Sequence, residues 1–221
     1  AMRPPGKEKI GWLLDTLEQQ VREAGVEVRL HTLVTPEYLT REQPDVVILA
    51  TGARPWRPPV GGLEDPRVVT AWDVLAGQTE VRGKRVTMIG AGMVACETAL
   101  FLAAQGNQVR LVEMLDDLAQ DVEPTTSIDL MEHLARAGIV GHASCRAKEV
   151  VADGLACEFR DGRAEVFAAD VIVVAAGAQP ENSLIDAVQA TGVPHVVIGD
   201  CQQPRRLVNA VYEGLLAGWQ V

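Results

Sequence analysis

Apolar residues recur along this chain with two periods, and the switching between them outlines the fold. Between residues 7 and 24, Ile10, Leu13, Leu14, Leu17 and Val21 share one helical face, and Gly25 supplies a stop. VEVRL (26–30) then reads as a short strand. Thr35-Pro36 opens a brief helix, with the threonine as cap and the proline in the first turn. Pro44-Asp45 leads into VVILATGA, a buried strand ending at Gly52. Residues 54–69 hold four prolines and two glycines and read as irregular. Thr70 to Asp73 fits the cap of a short helix ending near Gly77, and residues 78–84 read as a linker.

From Arg85 the pattern is strand, helix, strand. Strand 85–89 feeds a glycine turn, a helix runs over 93–105 to Gly106, and strand 108–112 ends at Glu113. Pro124 opens a helix that runs to about residue 137 and is stopped by Gly138. ACEFRDGRAEVF (156–167) predicts a hairpin around Asp161-Gly162. DVIVVAAGAQP (170–180) is a buried strand, Ser183 caps a helix to about 190, HVVIGD (195–200) is a last strand, and a helix closes the chain over 204–218. Near-continuous apolar strands alternating with helices predict an α/β fold, its parallel sheet covered on both faces.

Composition narrows the class. The chain has 221 residues, 48% hydrophobic, enough for one generous core or two small ones. No apolar run approaches the roughly 18 residues of a membrane helix, and no basic-then-apolar leader opens the chain, so a cytoplasmic protein without a membrane partner is expected. A net charge of −10 argues against a nucleic-acid partner, which needs clustered Lys and Arg to displace counterions. Cys96, Cys145, Cys157 and Cys201 form no C-x-x-C and, like the four histidines, show no metal spacing, so neither a dithiol centre nor a metal site is expected.

The chemistry concentrates in RVTMIGAGMVACE (85–97). Gly90-x-Gly92-x-x-Ala95 gives each position a task. Gly90 permits a tight turn off the strand, Gly92 lets a pyrophosphate approach the backbone, and Ala95 lets the helix lie close to the sheet. The helix start then offers free amides and a positive dipole end to phosphates. Glu113 lies 21 residues after Gly92 at the end of the next strand, where a carboxylate can accept both hydroxyls of an adenosine ribose. That carboxylate would repel a 2′-phosphate, and no Arg stands among residues 114–117, so NAD(H) is expected over NADP(H). The plainer alternative leaves Glu113 as a solvated strand end.

These residues resemble the pyridine-nucleotide-dependent flavoproteins with two dinucleotide-binding domains of glutathione-reductase type, in which an NAD(P) domain is inserted into an FAD domain. ATGA (50–53) is similar to the crossover out of the FAD domain, AAGAQP (175–180) to the crossover back, and Ile198-Gly199-Asp200 to the Gly-Asp motif that meets the flavin's ribityl chain or pyrophosphate. The stretches PPGKEKIGWLLDTLEQQVREAGVEVRL, ATGARPWRPPVGGL, VTAWDVLAG, GMVACETALFLA and VIGDCQQPRR together resemble the C-terminal half of NADH:flavin oxidoreductases in the group of 2,4-dienoyl-CoA reductase, enoate reductase and trimethylamine dehydrogenase.

The resemblance implies an NAD(P)-binding domain over 79–179 with a small hairpin insert. It also implies an incomplete FAD-type domain over 1–78 and 180–221, because the family's first glycine motif and its strand are absent. The implied cofactor contacts are Gly90, Ala91, Gly92, Met93, Val94, Ala95, Glu97, Glu113, Met114, Ala176 and Gly177, with Thr51, Gly52, Gly199 and Asp200 on the FAD side. Glu97 would meet the nicotinamide carboxamide or a lysine near the flavin, unless it serves only the helix dipole. FMN and an iron–sulfur cluster are expected in a missing N-terminal barrel domain, the natural partner of this part. A fragment with an exposed sheet interior also invites homo-oligomers. No general acid, base or nucleophile stands out, as befits hydride transfer from NADH to flavin and on to an enoyl-type or amine substrate. The alternative is a non-catalytic module that holds ADP or NAD for a structural purpose.

Overall fold

The computed structural model describes residues 2–221. Along the chain run α1 (Lys9–Glu23), α2 (Pro36–Glu42), β1 (Val47–Leu49), β2 (Ala53–Pro55), β3 (Val68–Thr70) and α3 (Ala71–Ala76). Then come β4 (Arg85–Ile89), α4 (Met93–Ala104), β5 (Gln108–Val112), α5 (Pro124–Arg136) and β6 (Val140–His142). β7 (Cys145–Val151), β8 (Gly154–Phe159), β9 (Ala164–Ala168), β10 (Val171–Val174), β11 (Ala178–Pro180), α6 (Ile185–Thr191), β12 (His195–Val197) and α7 (Leu207–Gln220) complete it. No helix among the described residues is long and apolar enough to cross a membrane.

Two compact units emerge. Unit 1 takes the chain up to Ala24 and Pro55–Gly177, and unit 2 takes Gly25–Arg54 and Ala178–Val221. This division departs from the boundary expected at 78/79, for a definite reason. β3 pairs in parallel with β10 inside the sheet of unit 1, and Ala71 and Val74 of α3 are buried in its core. The N-terminal segment is tied to the same unit by an ion pair from Lys7 to Glu97 at 2.7 Å.

Unit 1 is built on a five-stranded parallel sheet in the order β3-β10-β4-β5-β6. Strand pleating sorts its side chains to two faces. Val86, Met88, Leu111 and Val173 join Ala95, Ala99, Leu102 and Leu134 in a helix-side core. Ile89, Val112, Ile172 and Val174 join Cys145, Leu155, Cys157 and Phe167 in a second core. Both faces are covered as the apolar strands predict, but the second by an antiparallel sheet, β7-β8-β9. The hairpin around Asp161-Gly162 is β8-β9 with register Cys157↔Glu165. Its third strand, β7, escaped the sequence pattern because a bulge between Ala147 and Glu149 breaks the alternation.

Local signals set the helix ends here. Thr70 and Asp73 form a reciprocal capping box at α3, worth about 1 kcal/mol. Glu123 accepts from the Thr126 amide at 3.1 Å and Pro124 occupies the first turn of α5. α4 is apolar on most sides because it lies between sheet and neighbours, with Ala95, Cys96, Thr98, Ala99 and Leu102 buried.

Unit 2 is slighter. β1 and β12 form a two-stranded parallel sheet, β2 pairs with β11, and the core cluster holds Leu39, Leu49, Val188 and Cys201. Thr35 caps α2 through the Tyr38 amide at 3.2 Å, as predicted. Three expectations fail here. VVILATGA is not a buried strand to Gly52: β1 spans only Val47–Leu49, and with a single parallel neighbour it leaves Val46 and Ile48 exposed. VEVRL (26–30) forms no strand, and Val26, Val28 and Leu30 are exposed. A lone extended segment has no ladder partner among the described residues, and β-propensity without a neighbour does not make a strand. Ser183 does not cap α6, which starts at Ile185 after Leu184. The Ser183 amide instead donates to the Glu181 carboxylate at 3.2 Å.

Candidate functional site

The expected turn lies at the carboxyl end of β4, the sheet end at which open α/β sheets bind their ligands. Gly90 has φ +102°, and a Cβ there would sit 2.5 Å from the Ala175 carbonyl oxygen, so only glycine fits. The turn is clamped on both flanks. The Gly90 amide donates to the Val112 carbonyl at 2.8 Å, and the Ala175 amide to the Ile89 carbonyl at 2.9 Å. Ala91 and Ala95 are fully buried, which seats α4 against the sheet. Ala176 and Gly177 follow β10, the strand beside β4, so they share that sheet end with the glycine turn.

Glu113 is buried, 8% exposed, and its two oxygens are in use. One accepts from the Ala91 amide at 2.8 Å, the other from the Leu115 amide at 2.9 Å. A buried carboxylate without partners costs several kcal/mol, and hydrogen bonds to a charged group contribute about 1.5–3 kcal/mol each. A carboxylate has roughly four lone-pair positions, so two bonds leave acceptor capacity for ribose hydroxyls. The solvated-strand-end alternative for Glu113 does not hold. Val94 and Met114 beside the turn are exposed, Met93 is half-buried, and Glu97 faces Lys7 rather than water alone.

Three features here were not legible in sequence. Asp121 lies on the start of α4: the Met93 amide donates to its two oxygens at 2.9 and 3.2 Å. No motif spacing marks it. Arg160, at the end of the hairpin strand β8, pairs with Asp116, which also accepts from the Ser144 hydroxyl at 2.9 Å. A cation thus reaches the loop after Glu113 from 47 residues further along, invisible to a search of the adjoining residues. The third is Lys7 opposite Glu97. Cys96 is buried: burial first, then the charges of Asp121, Glu113 and Glu97, push its thiol up to about 12.

The FAD-side residues gather within unit 2. β1 and β12 are parallel and in register from Val47↔His195 to Leu49↔Val197, so their ends coincide. The Ile198 amide donates to the Leu49 carbonyl at 2.9 Å, bringing Gly199-Asp200 beside Thr51-Gly52. Thr51 donates from its hydroxyl to the Glu181 carbonyl and lies 3.1 Å from the Cys201 sulfur. The Gly199 amide donates to Glu213 at 2.7 Å, and Asp200 accepts from the Arg205 amide at 3.1 Å. Gly199's amide, followed by the Arg205 guanidinium, holds the Glu213 carboxyl below its ordinary value. Among the described residues no cluster of His, Cys, Asp and Glu could hold a metal.

A parallel strand, a glycine turn onto a helix start and a buried acidic strand end define a Rossmann-like dinucleotide-binding protein. Residues 28–214 match the pyridine nucleotide-disulphide oxidoreductases, and the chain belongs to that family. It is 37% identical to an NADH oxidase of Thermoanaerobacter brockii over all of this chain and 35% of that protein. It is 33% identical to a bilirubin reductase of Mediterraneibacter gnavus over 97% of this chain and 33% of that one. Among solved structures, a 2-naphthoyl-CoA reductase superposes with a TM-score of 0.90 at 26% identity, covering 96% of this chain and 32% of its own. The chain spans about a third of the length of these relatives.

Proposed function

We propose that unit 1 is the NAD(H)-binding part of a longer flavin-dependent NADH oxidoreductase. The observation that carries this is the buried Glu113 carboxylate bonded to the amide of Ala91, inside the glycine turn. The residues present fit the cofactor: Gly90 and Gly92 leave backbone bare at a helix start, and the nearest atoms to a Cβ on Gly92 would be those of Asp121. Gly90, Ala91, Gly92 and the first turn of α4 hold the pyrophosphate, Glu113 and Met114 hold the adenosine ribose, and Ala176-Gly177 bound the crevice. Glu97, fixed by Lys7, presents a carboxylate near the helix start. The bound cofactor supplies the hydride, so the chain's own task is to position it and exclude water.

In this reading unit 2 is the remnant of an FAD-type domain. Thr51, Gly52, Gly199 and Asp200 offer part of a flavin-nucleotide cradle, without the glycine turn that would hold most of the phosphate. Relatives named as NADH oxidase and bilirubin reductase, about three times as long, support a longer protein whose remaining chain carries the substrate. The sequence resemblance extends this to an FMN barrel and an iron–sulfur cluster, with an enoyl-type or amine substrate. Exposed Leu207, Val208, Val211, Leu215 and Trp219 on α7 support a covering segment or a second copy.

Isothermal titration tests the core of the proposal. NADH should bind the chain with a dissociation constant at least tenfold below that of NADPH; preferential NADPH binding, or none of either, overturns it. In the full-length protein, stopped-flow mixing with NADH should bleach a flavin. Binding without bleaching would leave a nucleotide-holding module instead.

A further inference from the structure

We propose that Asp121 is a resident anion of the dinucleotide site, occupying the seat over Gly92 that a pyrophosphate needs and yielding it when nucleotide binds. The inference rests on the nucleotide reading above and adds to it a determinant of affinity.

The geometry is specific. Met93 is the first residue of α4, where amides lie outside the helix's own hydrogen-bond ladder and the dipole attracts anions. Its amide donates to Asp121 at 2.9 Å and 3.2 Å. A Cβ placed on Gly92 would lie 3.0 and 3.2 Å from the same two carboxylate oxygens. The space opened by the absent side chain of Gly92 is therefore filled by Asp121. A carboxylate and a phosphate use the same chemistry at a helix start, oxygen acceptors carrying negative charge. They cannot share one amide at van der Waals distance without strong repulsion.

The loop carrying Asp121 is fastened on either side. Ala119 takes φ +54°, is buried, and donates its amide to the Ala91 carbonyl at 2.8 Å. Val122 is buried in the helix-side core, and its amide donates to the Ala119 carbonyl at 3.0 Å. The backbone is pinned before and after Asp121, so the exchange proposed is a movement of its side chain and not of the loop. Glu113, bonded to the Ala91 amide in the same turn, adds its charge to that of Asp121, while the Glu97 carboxylate is offset by Lys7 at 2.7 Å.

A single inorganic anion meets this field with one charge cluster and no adenosine contacts. A dinucleotide also brings the ribose hydroxyls that Glu113 can accept. The resident carboxylate thereby selects for the whole dinucleotide over its phosphate part.

The test is Asp121→Asn, which keeps an acceptor oxygen for the Met93 amide and removes the charge. By titration calorimetry the variant should bind NADH about tenfold more tightly than the parent chain, as expected for removing one like charge at the seat. Inorganic pyrophosphate should compete with NADH measurably in the variant and not in the parent. Equal or weaker NADH binding by the variant overturns this inference and leaves the nucleotide reading intact. Failure of NADH to bind either protein overturns both. A second measurement needs no variant: with carboxyl-labelled aspartate, the Asp121 resonance should shift on saturation with NADH. An unmoved resonance would show that Asp121 keeps its seat, against the proposal.

Discussion

Unit 1 and unit 2 both end parallel strands in glycine-bearing turns, and the comparison between them shows what makes such a turn rigid. In unit 1 the turn after β4 is flanked by two neighbouring strands and backed by core clusters of eighteen and ten buried residues. In unit 2 the turn after β1 has one parallel neighbour, β12, and a core cluster of four. Ile48 of β1 is 40% exposed, whereas Met88 of β4 is fully buried. A turn's conformation is over-determined when neighbours on both sides forbid alternatives, and is left to local bonds when they do not. Unit 1 therefore carries a turn fixed from both sides, and unit 2 carries strand ends held by local bonds of Thr51, Glu181 and Glu213.

The sharpest way to break this comparison is to place the same methyl group in each turn. Gly90→Ala forces a Cβ to 2.5 Å from a carbonyl oxygen at φ +102°. Overpacking and left-handed strain together should cost about 3 kcal/mol or more, and NADH binding should vanish. Gly52→Ala, in the turn after β1, meets nothing within 4 Å and should lose only about 1–2 kcal/mol through its φ of +78°. Urea unfolding of both variants decides it, and equal losses would remove the distinction. Glu113→Gln comes next. One of two backbone amides loses its acceptor and the ribose loses a charged partner, so NADH should bind at least tenfold more weakly, about 1.4 kcal/mol. The preference over NADPH should narrow with it.

A gentler comparison uses the four buried thiols. Cys96 and Cys157 of unit 1 are pushed up to about 12, chiefly by burial, and should resist a thiol reagent at pH 8. Cys201 belongs to the small core of unit 2, which should open more often, so it should react first. Labelling of Cys96 ahead of Cys201, read by mass spectrometry, would reverse the ranking.

The smallest expected effect is in acid. Arg67 beside Asp65, by its side chain and then its amide, lowers that carboxyl from 3.8 to about 2. The folded value is depressed, so the pair's contribution is full above about pH 4 and fades as pH falls toward 2. Asp65→Asn should lower the urea midpoint slightly at pH 7 and less at pH 2. Arg67 also donates to the Val151 and Ala152 carbonyls, so loss of the carboxylate should loosen that end of β7 in amide exchange.

Much of this was legible before the fold was known, and particular residues show why. The reach of α4, the capping box at Thr70, the hairpin at Asp161-Gly162 and the Gly90-Gly92-Glu113 spacing are local or near-local signals, fixed by backbone sterics and helix-end bonding. β7 was hidden because a bulge interrupts the two-residue period that reveals a strand. VEVRL misled because its residue types favour a strand, while strand formation needs a neighbour that the described chain does not offer.

By itself, then, the sequence determined the helices α1 to α5, the strands β4, β5 and β10, the hairpin β8-β9, the glycine turn and the acidic strand end that goes with it, since each depends on residues close together along the chain. Only the tertiary structure decided that residues 55–78 join the glycine-turn unit, that an antiparallel sheet covers one face of the parallel one, and that Asp121 lies on the amide of Met93. Those facts depend on which surfaces meet across long stretches of chain, and a one-dimensional pattern carries no record of that until burial selects one arrangement.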